Sequence, residues 1–249
     1  IGMLQKNLCA DLLKMKRLPV TLAHILIPVI ISGIFLSYYS FSAWSDQTKV
    51  VAFYQAVGAG FPVLIGIFTA GVVEQEQNAG EFQNLLTLPE KCAAFVSKLL
   101  LLLMFSLFAL LLTAVLFGFV FDGWIAKDTM GISIHLAAVF IMWCSSIPVY
   151  IWQYIVAFTF GKGVSAGVGI ASGLVSALML TGLGDYVWKY TFISWTGRMP
   201  YMYLKWIFGE AGVGKELVTA TLFGCIFTVG SMIYYLWWIS HFEGCRISE

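Results

Sequence analysis

Six stretches of the chain carry no Asp, Glu, Lys or Arg: 18–45, 50–73, 99–121, 129–161, 163–184 and 217–242. Each is long enough for a helix to cross the hydrocarbon core, which takes roughly 20 residues. Alternation of apolar and polar positions over the length of a barrel strand is absent, so helices satisfy the backbone inside lipid. The pattern predicts an all-α, polytopic membrane protein with six transmembrane helices, one membrane domain over 1–249 and no separate soluble domain.

The polar positions set the orientation. Lys6, Lys14, Lys16 and Arg17 precede the first span, and basic residues near the first span favour the cytoplasm. Both termini are therefore expected inside, with Lys91, Lys98, Lys162 and Arg246 on the same side. Residues 1–17 place Leu4, Leu8, Leu12 and Met15 at helical spacing, with Lys6, Lys14 and Arg17 off that stripe. This pattern suits a helix lying in the headgroup plane, and a simple basic anchor accounts for it equally well. The apolar stretch behind it is too long for a cleavable signal peptide. Connections 46–49 and 122–128 are short, and Gly161-Lys162-Gly163 reads as a tight hairpin. Two connections are long: 74–98, expected in the cytoplasm, and 185–216, expected outside.

Composition narrows the function. The chain is 60% hydrophobic and 11% charged with net charge +1, which leaves nothing for nucleic acid to bind. The five cysteines are scattered and read as unpaired thiols. Ion-coupled carriers keep ionisable groups in the bundle, and an intramembrane hydrolase needs a nucleophile–base pair or metal ligands. Neither pattern is present. The expectation is a conformational machine powered from outside and working without a buried charge.

The 74–98 connection reads EQEQNAGEFQNLLTLPEKCAAFVSK. Phe82, Leu85 and Leu86 fall on one face of a short helix, and Pro89 stops it. Such a face either docks in a partner's groove or packs on neighbouring helix ends. Glu74 and Glu76, Gly80, Phe82-Gln83-Asn84-Leu85-Leu86, Leu88-Pro89 and Lys98 together resemble the E…G…LL…P…K pattern between spans two and three of bacterial ABC exporter permeases. The chain length and the GEFQNLL string are similar to the permeases of the mutacin, epidermin and nisin immunity group, which protect lantibiotic producers. The resemblance implies a coupling helix in which Glu76, Gly80, Glu81, Phe82, Leu85, Leu86 and Pro89 contact a separate nucleotide-binding subunit. It further implies no catalytic site or cofactor here, ATP and Mg on that partner, and a second, related permease chain. The implied cargo is an amphipathic peptide removed from the plasma membrane of a Gram-positive cell. Glu90-Lys91 replaces the arginine that often follows the proline, so no role of that arginine carries over. A drug, lipid or polysaccharide cargo, or a non-transporting scaffold or sensor, fits the spans as well.

Other signals carry less. Gly209–Glu216 nearly matches a phosphate-binding loop, but Glu216 stands where the Mg-binding hydroxyl belongs and no strand precedes it. His24, His135 and His241 lack ligand partners at metal spacing in the sequence. Gly163/Gly167 and Gly169/Gly173 are small-xxx-small pairs, and either intrachain packing or an intersubunit seam explains them. Gly58, Gly60 and Pro62 mark a weak point in span two. The aromatic 185–216 segment reads as a membrane-interface belt or as a platform for an amphipathic substrate. On the second reading Trp188, Trp195, Arg198, Tyr201 and Trp206 make the contact.

Overall fold

The computed structural model describes residues 5, 7, 8, 11–13, 19–80, 82–87 and 91–243. Among these residues there is no strand, and five helices are long and apolar enough to cross a membrane. Helix α1 (Pro19–Tyr39) begins with a proline, whose missing N–H is harmless in a first turn. Helix α2 (Asp46–Asn78) is capped by Ser45, whose hydroxyl accepts from the Thr48 N–H at 3.3 Å. Asp46 sits in its first turn, favourable at the positive end of the helix dipole. The 33 residues of α2 rise about 50 Å, so its last turns carry Glu74 and Glu76 past the apolar stretch. A four-residue helix, α3 (Gln83–Leu86), leads to α4 (Lys91–Val120), which loosens into a π-turn at Phe121–Ile125.

Helix α5 (Ile132–Met179) contains 48 residues with one break, at Gly161 (φ 84°, ψ 177°). A straight helix of that length would run about 72 Å, more than twice the hydrocarbon thickness. The contacts with α2 show the chain turning back. Tyr54 meets His135 and Phe61 meets Tyr150, so the first limb runs parallel to α2. Beyond the break Glu74 meets Lys162, Thr69 meets Ser165, and Gly66 meets Gly169, so the second limb runs antiparallel. The fourth and fifth charge-free stretches are thus two limbs of one helical run. Glycine makes the second crossing close: a Cβ on Gly66 would lie 2.6 Å from the Gly169 Cα. Gly173 is packed on Val63 in the same way, whereas a Cβ on Gly163 or Gly167 would meet nothing. The two small-residue pairs therefore differ, one packing inside the chain and the other open.

The 185–216 connection is folded, not a loop. After short 3-10 turns at Gly182–Gly184, Trp188–Tyr190 and Phe192–Ser194, helix α6 (Trp195–Ile207) runs beside α2, and α7 (Val213–His241) follows. Pro62 explains where α6 docks. It has no N–H for the Gly58 carbonyl one turn back, and the Thr196 hydroxyl donates to that carbonyl at 2.9 Å. Gly58 leaves room, since a Cβ there would lie 2.4 Å from the Thr196 main-chain carbonyl oxygen. Gly58 lies about 18 Å along α2 from Asp46, so the segment re-enters the bundle. The core is aromatic, with Phe53 and Phe117 stacked at 3.7 Å, and Phe95, Tyr154 and Phe158 packed together nearer the other end.

Candidate functional site

The hairpin between α2 and α4 is held by charge. Lys98 Nζ donates to Glu76 Oε1 at 2.8 Å and to Asp11 Oδ1 at 2.6 Å, and the Ser97 hydroxyl donates to Asp11 Oδ2 at 2.8 Å. All three charged side chains are buried. This corrects the expectation of a machine without buried charge. Arg198 and Lys49 are also inside, each at a helix end where partners are available. The second glutamate and the closing lysine of the E…G…LL…P…K pattern, Glu76 and Lys98, are the residues that close the clasp. Asp11 escaped the sequence reading, although it is the single acidic residue in the basic segment 1–17. Of the stripe expected there, Leu8 packs on the core and Leu12 is exposed, while Leu4 and Met15 lie outside the described residues.

The turn inside the clasp is tight. Gly80 has φ 128°, and Phe82 has φ 66°, the one non-glycine residue with positive φ among those described. A left-handed residue other than glycine costs roughly 1–2 kcal/mol. Phe82 offsets this by burial, its ring packed on Phe158 at 5.5 Å and Phe242 at 6.3 Å. Leu85 is 3% exposed. The face expected to dock on a partner is therefore turned into the chain's own core at Phe82 and Leu85, because the bundle's open end offers apolar surface nearer than any partner. The outward surface is polar and small: Asn78, Ala79, Gly80, Gln83 and Thr87. Glu81, Pro89 and the Leu86 side chain fall outside the described residues. The hairpin is further held where Glu74 pairs with Lys162, and where Lys91 donates to the Phe242 carbonyl.

At the opposite end the aromatic segment is divided, with Tyr186, Tyr190 and Trp206 exposed and two tryptophans interior. Trp188 is 0% and Trp195 1% exposed, so neither forms part of an open platform. The reason is hydrogen bonding as well as packing. Trp188 Nε1 donates to Glu216 at 3.1 Å, and Trp195 Nε1 donates to the Lys189 carbonyl at 3.1 Å while its ring packs on Phe227. Arg198 is buried too, and its guanidinium donates to the carbonyls of Met179 and Thr181 and to Asp185 Oδ1. It caps the last turn of α5, where carbonyls lack partners. Of the expected contact residues, Trp206 is exposed and Tyr201 half-buried, the latter with Lys205 Nζ 4.8 Å from its ring.

The near match to a phosphate loop is the start of α7, with Gly209 and Gly212 at positive φ making the turn before it. His135 has partners the sequence did not reveal, Tyr54 Oη at 2.9 Å and Asp122 Oδ1 at 3.6 Å. Among known families, residues 8–183 match the model of the ABC-2 family transporter protein. That stretch contains Asp11, Glu76 and Lys98 and stops before α6. No curated protein matches the chain.

Proposed function

The chain belongs to the ABC-2 family of transporter proteins, and from that premise we propose that it is the membrane-spanning subunit of a peptide exporter coupled to ATP hydrolysis elsewhere. A multi-pass ABC permease is what the family match and the apolar helices establish. The rest is our reading. The clasp of Glu76, Lys98 and Asp11 carries it: a buried ionic tie at the base of a two-helix hairpin makes the hairpin move as one body with α2 and α4. A force applied to its polar tip then reaches the spans. The partner is a separate nucleotide-binding subunit, with ATP and Mg bound there, and its contact is the surface of Asn78, Gly80, Gln83 and Thr87. Six crossings, counting each limb of α5 as one, put both termini and this hairpin in the cytoplasm. The reversal at Gly161 and the basic N-terminal segment support that arrangement.

A second, related permease completes the path. The cargo is an amphipathic lantibiotic peptide taken from the outer leaflet of a Gram-positive plasma membrane, a reading supported by the GEFQNLL resemblance and by Trp206 and Tyr201 at the far end. The test is a cysteine at Gln83 in the chain co-expressed with a candidate ABC ATPase subunit that co-purifies with it. Crosslinking to that ATPase, with labelling blocked until the membrane is opened, is expected. Labelling of intact cells, or crosslinking absent while ATPase and permease co-purify, overturns the docking assignment.

A further inference from the structure

A pocket of about 750 Å³ opens at the end of the bundle away from the hairpin. The α1–α2 connection, the first turn of α2, the segment between the π-turn and α5, and the end of α6 enclose it. Spans end here, so the pocket lies at the level of lipid headgroups. Trp44 is on its wall and Trp124 is exposed beside the π-turn, as suits tryptophans at a membrane interface. The lining combines apolar Ile134, Ile207 and Phe208 with charged Asp46, Lys49, Lys127 and Asp128.

Lys49 is the residue whose surroundings leave it incomplete. It is 6% exposed, and its carboxylate neighbour, Asp46 Oδ1, stands 3.7 Å away, beyond hydrogen-bond distance. The other lysines paired with carboxylates among the described residues are held at 3.0 Å or less, and Lys98, equally buried, has two. Asp46 does not close the gap, because its Oδ2 accepts from the Lys127 N–H at 2.8 Å and is held toward that segment. An ammonium carries three donors, and burying it with those donors idle is costly. Its Nζ is not among the sealed polar atoms of the interior, and Lys49 lines the pocket, so the donors open into that space. Lys127 and Asp128, both exposed, line the same pocket.

We propose that this pocket holds the headgroup of a zwitterionic phospholipid, with the phosphate accepting from Lys49 Nζ, the ammonium at Asp128, and the upper acyl carbons along Ile134, Ile207 and Phe208. Charge selects the class. Two lysines and two aspartates leave the lining without net charge, which matches a headgroup carrying one charge of each sign. An anionic lipid would meet Asp46 and Asp128 with no cation to offer them. A diacylglycerol would bring no anion to Lys49. A soluble phosphate would leave the apolar wall in water, where a lipid chain covers it.

The test is native mass spectrometry of the delipidated full chain, titrated with phosphatidylethanolamine, phosphatidylglycerol or diacylglycerol of the same acyl chains, and with free phosphorylethanolamine. Phosphatidylethanolamine is expected to bind about tenfold more tightly than diacylglycerol, the value of one hydrogen bond to a charged group. It should also bind severalfold more tightly than phosphatidylglycerol. Lys49→Met should bring phosphatidylethanolamine and diacylglycerol level, and Lys49→Arg should restore the difference. Asp128→Asn, at an exposed position, should bring the two phospholipids level, and it keeps the test decisive should Lys49→Met fold poorly. Equal binding of phosphatidylethanolamine and diacylglycerol by the native chain overturns the phosphate assignment. Equal binding of the two phospholipids overturns the match of charges, and phosphorylethanolamine bound as tightly as the lipid overturns the lipid as occupant. Preferences unchanged in Lys49→Met and Asp128→Asn put the lipid elsewhere and overturn the site.

Discussion

Glu76 and Lys98 stand 22 residues apart in sequence, and their side chains meet at 2.8 Å inside the protein. Glu76 is in the last turns of α2, Lys98 in the early turns of α4, and the hairpin between them has its own ionic base. Asp11 adds a second carboxylate from the N-terminal segment, so three separate parts of the chain are tied at one point. A buried pair of this kind is weak evidence for stability in itself. Its consequence is geometric, since the hairpin cannot tilt without breaking charge-assisted bonds.

Removing the cation is the sharpest test of that clasp. Lys98→Met leaves two carboxylates buried without their shared donor, at a cost of about 3–5 kcal/mol. The variant is expected to insert and to melt at a markedly lower temperature in detergent. Transport should fall by more than the loss of protein level. A melting temperature and transport rate equal to the native protein's would show that the clasp ties nothing.

The crossing of α2 with the second limb of α5 predicts opposite outcomes for two glycines of one helix. Gly169→Leu pushes a side chain into the Gly66 backbone, 2.7 Å from its added Cβ, and overpacking against backbone costs about 1–3 kcal/mol or more. Gly167→Leu points into open space and leaves the isolated chain's stability unchanged. Thermal unfolding of the purified single chain distinguishes them, and equal destabilisation would mean the register of this crossing is wrong.

Charging the hairpin separates its buried side from its outer side. Leu85→Glu places a carboxylate among Phe82 and its neighbours, in the chain's own core, and should lower protein level and melting temperature by itself. Gln83→Glu changes an exposed position and should leave the chain's stability alone while weakening co-purification with its ATPase. If Leu85→Glu proves as stable as the native chain, the apolar face is free after all and the sequence-based expectation of docking through it returns.

How the sequence conveyed these features follows from which interactions are local. Charge-free stretches located the apolar helices because lipid imposes that pattern residue by residue, and Gly161-Lys162-Gly163 marked the reversal through its glycines. The E…G…LL…P…K pattern marked the hairpin, but periodicity gives only a helix's apolar face and not what covers it, so the inward packing of Phe82 and Leu85 was not legible. The same holds for Arg198, whose carbonyl partners Met179 and Thr181 lie at and just beyond the end of another helix. Asp11 lies 87 residues from Lys98, and no local rule pairs them. The re-entry of α6 had a readable trace in Pro62, which frees a carbonyl, but not the identity of Thr196 as its donor.

The aromatic segment yields the last prediction, because burial separates two of the tryptophans that the sequence offers together as contacts for an amphipathic substrate. Trp195 is the interior one. Its side chain is 1% exposed, bonded to the Trp188 and Lys189 carbonyls and packed on Phe223 and Phe227. Truncating a buried tryptophan costs about 3–5 kcal/mol, so Trp195→Ala should reduce protein level and peptide resistance together. Trp206 is 52% exposed at the end of α6, where truncation removes contact surface and little packing. Trp206→Ala should keep expression and basal ATPase activity while resistance to the peptide falls severalfold. Resistance measured against membrane protein level, for both variants in one strain, reads this directly. Full resistance in Trp206→Ala would return the exposed ring to the role of an interfacial anchor.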